Sequence, residues 1–281
     1  MKRNRIRLKN ALRNSPKYLC LSAASLMMLF PFFWMLMTAM KTRQELSQYP
    51  PSLFPQSLNL SNFATVLKHS SLSVYFVNST VVAVVQTILL VIITTLAAYG
   101  FYRYRFFGKK ALFCTFMLLN ALPFEVVMLF NYKMMIQMGL NNTLTALIIP
   151  FCFKFFYVYI LYNAFCAIPK SLYIAACADR ASDLKFLFRI ALPIVRPNII
   201  YISIMSMVSS WNSFIWPLLI TNSVETRTLP FGIYTYMSAT GSDQSLVMAF
   251  SVLSQIPLVI ILIVMRKYFV NGYQSYYSVQ T

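Results

Sequence analysis

Residues 73–99 read S-V-Y-F-V-N-S-T-V-V-A-V-V-Q-T-I-L-L-V-I-I-T-T-L-A-A-Y, 27 positions without a charge, a glycine or a proline. A helix rising 1.5 Å per residue crosses the hydrocarbon of a bilayer in about 20 mainly apolar positions. The stretch is long enough to do so. Moving outward from it, Tyr18–Met40, Ala111–Asn131, Thr143–Cys166, Pro197–Thr221 and Ser245–Met265 meet the same test. Composition agrees: of 281 residues 59% are hydrophobic and 11% charged, with a mean hydropathy of +0.64, where soluble domains carry about 25% charged residues. The expected fold is all-α, a polytopic membrane protein with six transmembrane helices.

The net charge of +18 has two readings, nucleic acid or membrane orientation, and the placement of the charges decides. Segments 1–17, 100–110, 167–196 and 266–281 hold 18 of the 24 lysines and arginines, whereas 41–72, 132–142 and 222–244 hold five. Basic residues concentrated in alternate segments put both termini in the cytoplasm. They are divided among four segments at one membrane face, so no nucleic-acid partner is expected. The first 17 residues form a basic N-terminus, 18–266 a single six-span domain, and 267–281 a cytoplasmic tail. The apolar run after Lys17 is longer than a signal-peptide core of roughly 7–15 residues, so an uncleaved first helix is expected. Pro50, Pro51 and Pro55 mark 41–72 as an ordered excursion on the outer side.

One histidine, His69, and five scattered cysteines, none in C-x-x-C spacing, offer no metal site. No G-x-x-x-x-G-K-[ST] phosphate loop, H-E-x-x-H or Ser-His-Asp set is present. No catalytic residue is assigned, and the chain is not expected to be an enzyme. Energy for any transport must come from another chain or from an ion gradient.

Segment 167–196 is neither a span nor a plain loop. Pro169 and Ser171 predict a helix start with Ser171 as N-cap. Ala175, Ala176, Ala178 and Ala181 then cluster small side chains, permitting close approach to a partner. Asp179 and Ser182 can cap a second short helix running into Leu184, Leu187 and Phe188, which Pro193 and Pro197 are expected to end before the next span begins. By spacing alone this is either a helix docking into a cleft of another protein or an interfacial helix on lipid headgroups.

Ionisable residues within spans are candidates for function. Pro123, just before Glu125, frees a backbone carbonyl and is expected to bend the third helix; counted at 1.5 Å per residue, Glu125 would lie roughly 21 Å from the inner face and Lys154 about 17 Å from the outer end, close enough in depth to pair. They are read as a structural ion pair or as groups on a solute path. Trp211, Asn212 and Trp216 offer aromatic faces and an amide, suited either to a sugar or to interfacial packing. Asn120 and Asn163 are further polar groups at depth, either path or helix–helix glue.

The motifs also carry a resemblance. I-A-A-C-A-D-R-A-S (Ile174–Ser182) with L-P-I-V-R-P (Leu192–Pro197) resembles the EAA loop of bacterial ABC-importer permeases, E-A-A-x-x-D-G-A then L-P-x-x-x-P. Ala175, Ala176, Asp179, Ala181, Leu192, Pro193 and Pro197 match, while Ile174 replaces the Glu and Arg180 the Gly. F-P-F-F-W-M-L-M-T-A-M-K-T (Phe30–Thr42), N-F-A-T-V-L (Asn62–Leu67), A-A-Y-G-F-Y-R-Y-R-F-F-G-K-K (Ala97–Lys110), L-P-F-E-V-V-M (Leu122–Met128), W-N-S-F-I-W-P-L (Trp211–Leu218) and T-L-P-F-G (Thr228–Gly232) continue it in order. The set is similar to the smaller six-span permease subunit of maltose-type and glycerol-phosphate-type importers. Arg266–Gly272 resembles the family's Q-R-Y-x-x-x-G ending, though the usual second Gly and its tail are replaced by Ser275-Tyr276-Tyr277.

That resemblance implies pairing with a second homologous permease around a path for a sugar or related polar solute, such as an oligosaccharide or a glycerol-phosphate-like molecule. It implies a short cytoplasmic coupling helix between spans 4 and 5, with Ala175, Ala176, Asp179, Arg180, Ala181, Leu192 and Pro193 facing a separate ATPase that uses ATP and Mg. A solute-binding protein would deliver solute outside, at a bacterial inner membrane. Glu125, Lys154, Trp211 and Asn212 are the candidates for the path. If the family's Gly marks a left-handed turn, Arg180 costs roughly 1–2 kcal/mol there. The rival readings are an ion-coupled secondary transporter and a divergent permease whose coupling is impaired.

Overall fold

The computed structural model describes residues 2–69, 71–241 and 243–278, with side chains for 16–68, 71–241, 243–261 and 263. Helices follow in the order α1 Lys2–Ala39, α2 Arg43–Leu46, α3 Ser61–His69, α4 Leu72–Arg103, α5 Lys109–Asn120, α6 Phe124–Gln137, α7 Leu144–Ile148, α8 Phe155–Cys166, α9 Lys170–Ala178, α10 Asp183–Phe186, α11 Leu192–Trp211, α12 Ile215–Ile220, α13 Leu229–Ala239 and α14 Gln244–Ser278. A 3₁₀ turn, Ile149–Phe151, extends α7, and a π-helical turn, Leu187–Ala191, joins α10 to α11. The described residues contain no strand. The side chains of the basic N-terminus up to residue 15, of His69 and of the Arg266–Gly272 ending lie outside the described residues.

Four helical runs are long and apolar enough to cross a membrane: Pro16–Ala39, Leu72–Arg103, Asp183–Trp211 and Gln244–Ile261. Two bent pairs raise the number to six if each pair is one span: Lys109–Asn120 with Phe124–Gln137, bent by 98°, and Leu144–Phe151 with Phe155–Cys166, bent by 48°. The third span is bent where its proline was expected to bend it, and the fourth, read as one run, is broken as well. Pro123, whose ring removes a backbone donor, stands at the first break, and Cys152–Lys154 form the second.

Two compact units divide the described residues, one within Met1–Ser70 and Thr235–Gln255, the other within Ser71–Tyr234 and Ile256–Thr281. In the first, the exit of α1 is pinned by the polar residues following it. The Asn62 carboxamide donates to the carbonyls of Ala39 and Lys41, both at 2.9 Å, and the Asn59 amide to that of Met40 at 3.2 Å. These bonds satisfy carbonyls that a helix end leaves free. Thr42 and Glu45 form a reciprocal capping box on α2.

In the second unit α4 is the axis, packed along α8 and α11. Its C-terminal half buries Leu90, Ala98, Tyr99 and Phe101 with Phe155, Val158, Leu161 and Phe165 of α8, Ile202 of α11, and Ala176, Phe186 and Leu187 of the 167–196 segment. Val82 belongs to a second cluster with Met135, Ala146, Leu147, Ile148, Trp216 and Ile220. Hydroxyl and amide groups bridge α4 and α11: Thr87 Oγ1 donates to Ser206 Oγ at 3.2 Å, and Ser210 Oγ to Gln86 Oε1 at 3.0 Å. Such bonds are a usual glue between helices in an apolar surround. In α13, Gly232 lies so close to Tyr75 of α4 that a Cβ would stand 2.2 Å from the ring. The glycine of T-L-P-F-G thus permits an approach no other residue allows.

Candidate functional site

Segment 167–196 forms two short helices. The first is α9, which begins at Lys170 with Pro169 at its N-cap position, φ −57° and ψ 130°. The expected cap at Ser171 is corrected: the extended Pro169 breaks the chain direction two residues earlier, and Ser171 lies inside the helix. At the other end the Arg180 amide donates to Cys177 O at 3.0 Å and the Ala181 amide to Ala176 O at 2.9 Å. This pair of bonds defines a Schellman C-cap, whose C′ residue adopts the left-handed conformation. Arg180 does so, with φ +52°.

The second helix starts at Ser182, whose Oγ accepts from the Lys185 amide at 3.3 Å. It does not end at Pro193, contrary to expectation. The chain runs from Asp183 to Trp211 as one 29-residue helix. The π-helical turn Leu187–Ala191 just before Leu192 widens the helix, so Pro193 enters at its first positions and its missing donor costs little.

The small residues face different ways. Ala175, Cys177, Ala178, Asp179 and Arg180 are exposed, Ala181 and Leu192 half-buried and Pro193 exposed, whereas Ala176 is buried in the bundle. Ile174 is 67% exposed, with Leu184 at 62% and Phe188 at 61% nearby in sequence. An exposed aliphatic and aromatic set beside small residues is suited to burial against a partner.

Beneath α9 a carboxylate draws several groups together. Asp183 Oδ1 accepts from Arg103 Nε at 2.8 Å and from the Tyr173 hydroxyl at 3.3 Å, and Oδ2 from the Tyr104 hydroxyl at 3.3 Å. Tyr99 donates to the Asp183 carbonyl at 3.1 Å. The Arg103 guanidinium also donates to the Tyr173 hydroxyl and lies 4.3 Å from the centroid of that ring. The Tyr173 phenol is pushed up to about 12, first by its hydrogen bond with Cys177, so it keeps its proton across the physiological range. Sequence reading missed the cluster. Its only local signal is the R-Y-R run at the end of the longest apolar stretch.

The path candidates are spread over the breaks between helices. Glu125 is exposed in the first turn of α6, just past the 98° bend. Lys154 is half-buried at the N-cap of α8, at the 48° bend. No ion pair joins them among the described residues, and the bend invalidates the straight-rod depths on which pairing was expected. Asn120 Oδ1 instead accepts from the Phe156 amide at 3.3 Å, tying the first break to the second. Asn212 is exposed where α11 ends, and its Nδ2 donates to Val208 O at 3.0 Å. Trp211 is 3% exposed and packs edge-on to Phe76, while Trp216 donates from Nε1 to Ala146 O at 3.0 Å. Both indoles are held by packing. Unanticipated is a small cleft lined by Gln86, Ser209, Ser210, Ser213, Trp216 and Thr228, among others. The amide Gln86 amid aliphatic residues was its signal.

A chain of broken membrane helices, with ionisable and amide side chains at the breaks and a structured helical segment outside them, has the architecture of a transporter subunit. Residues 91–274 match the family of binding-protein-dependent transport system inner membrane components, and the chain belongs to that family. It is a multi-pass membrane protein, the permease subunit of an ABC importer, and not itself an enzyme. It is similar to the arabinooligosaccharides transport system permease AraQ of Halalkalibacterium halodurans, 29% identical over 246 residues, covering 86% of this chain and 88% of that protein. It is also similar to the sn-glycerol-3-phosphate transport system permease UgpE of Agrobacterium fabrum, 27% identical over 264 residues and covering 91% and 94%. Among solved structures it superposes on a bacterial ABC transporter involved in alginate import, with a TM-score of 0.77 at 21% identity, covering 93% of this chain and 98% of that one. A second match is an alginate ABC transporter in complex with an alginate pentasaccharide-bound periplasmic protein, with a TM-score of 0.64 at 15% identity, covering 91% and 94%.

Proposed function

We propose that this permease forms half of the translocation path for an oligosaccharide, a sugar or a glycerol-phosphate-like solute. It crosses the bacterial inner membrane six times with both termini in the cytoplasm, each bent pair counting as one span. A second homologous permease completes the path and a solute-binding protein delivers solute from outside. ATP and Mg are used by a cytoplasmic ATPase that receives α9, with Ala175, Asp179, Arg180 and the exposed Pro193 at the contact and Ala176, Ala181 and Leu192 holding the segment to the bundle. Glu125, Lys154 and Asn212 are the candidates for lining the path, because irregular backbone at membrane depth is tolerated where it faces protein or a polar cavity.

The observation carrying this reading is the exposed face of α9. Ile174, at 67%, stands outside the bundle next in sequence to exposed Ala175, and Leu184 of the following α10 is 62% exposed, an arrangement that leaves apolar area uncovered until a partner is seated. The test is purification in mild detergent through this chain, followed by identification of the chains that accompany it. Ala175→Glu or Asp179→Lys should remove the ATPase and leave the second permease in place. Retention of the ATPase in both variants, or labelling of the exposed Cys177 from the outer medium of intact cells, defeats the reading.

A further inference from the structure

The coupling segment meets the membrane helices by two routes of different kinds. Towards α11 the route is covalent and helical: α10, the π-helical turn and α11 are one run from Asp183 to Trp211. Towards α4 no chain connects them, since 80 residues separate Arg103 from Asp183. Apolar packing of Tyr99 and Phe101 with Ala176, Phe186 and Leu187 brings the surfaces together. Such packing is non-directional, so it does not by itself fix one register against a sliding load.

The directional contacts are those on the Asp183 carboxylate. Arg103 is the last residue of α4, Tyr173 belongs to α9, and Asp183 is the first residue of α10. The three side chains form a closed triangle: guanidinium to carboxylate at 2.8 Å, phenol to the same oxygen at 3.3 Å, and guanidinium to phenol, with the guanidinium also over the phenol ring. Tyr104 and Tyr99 supply two further hydroxyls to the same aspartate. Arg103 and Asp183 side chains are about one-third exposed, 32% and 30%, so the pair adds little bare stability. Its value is geometric: a charge-assisted bond beside a stacked ring holds two elements in one relative position.

We propose that Arg103 is a positioning residue for coupling, the latch that makes α4 move with α9 and α10 when the ATPase moves them. The inference rests on the docking reading above. With the latch in place, displacement of the coupling segment reaches both packed helices, α11 through its backbone and α4 through the triangle. Without it, α11 follows and α4 lags.

The experiment uses the detergent-solubilised complex with its ATPase subunits, nucleotide-free and trapped with ATP and vanadate. Hydrogen exchange is read in residues 98–104 and 170–183, and ATP hydrolysis in parallel. In the wild type both segments respond to trapping. In Arg103→Gln the response of 98–104 falls by about threefold or more while that of 170–183 persists, and the exchanged pair Arg103→Asp with Asp183→Arg restores it. A purely structural contact would instead raise exchange equally in both nucleotide states. Asp183→Asn keeps the side-chain shape and removes the charge that Arg103 bonds, so it decides the matter if Arg103→Gln does not assemble. An undiminished 98–104 response in whichever of these assembles, or no wild-type response there at all, overturns the latch. A wild-type preparation that retains no ATPase overturns the docking reading instead.

Discussion

Arg180→Gly should stabilise the turn after α9, by an amount that follows from its backbone. Arg180 sits at φ +52°, and its amide and that of Ala181 close the two C-cap bonds. An L-residue with a side chain pays about 1–2 kcal/mol in the left-handed region. Glycine avoids that strain but gives up about 0.5–1 kcal/mol of additional chain entropy on ordering. Arg180 is exposed and forms no ion pair among the described residues, so no further interaction enters the balance. The net gain is about 0.5–1 kcal/mol, or amide exchange in the last turn of α9 slowed about two- to fivefold. Hydrogen exchange of the purified subunit, resolved over residues 170–183, reads this directly. Arg180→Ala retains the Cβ and should leave exchange near the wild-type rate. If Arg180→Gly exchanges as fast as the wild type, or Arg180→Ala slows it as much, the strain is not where the backbone puts it.

Among the described residues Asn142 is the other non-glycine with positive φ, at +57°; its Oδ1 accepts from the amides of Asn222 and Ser223 and from Thr226 Oγ1, at 2.8, 3.1 and 2.7 Å. Asn142→Ala should speed exchange across 220–228 by an amount corresponding to about 2–3 kcal/mol, with Asn142→Gly intermediate because it spares the strained φ; equal exchange in all three proteins would count against this. Gly232→Ala must push Tyr75 aside, since the new Cβ stands 2.2 Å from Cδ2. Overpacking of this kind costs about 1–3 kcal/mol, and an unchanged thermal midpoint of the detergent-solubilised protein would show that the ring gives way freely.

Much of this protein was written in local composition. The uncharged run from Ser73 to Tyr99 lies wholly within α4, and the glycine position of the EAA pattern does adopt a left-handed turn even with Arg180 in it. Ser182 caps the second short helix as its position suggests. These features depend on residues within a turn or two of one another, or on a hydropathy that adds along the chain. The bend at Pro123 was legible, because a proline removes a backbone donor wherever it stands; the break at Cys152–Lys154 was not, because an apolar count treats a span as a rod. Nor was the helix Leu229–Ala239, within a segment read as a plain outer connection.

Sequence by itself determined that the chain enters a membrane, which loops carry its positive charge and which segment resembles a coupling loop. Only the tertiary structure decided that Trp211 packs against Phe76, that Glu125 and Lys154 stand at separate helix breaks, and that Arg103 meets Asp183 and Tyr173. The difference is physical. Transfer from water to lipid is a property each residue contributes where it stands, whereas a hydrogen bond between residues 80 apart exists only after packing of α4, α8 and α11 has brought its two ends within reach.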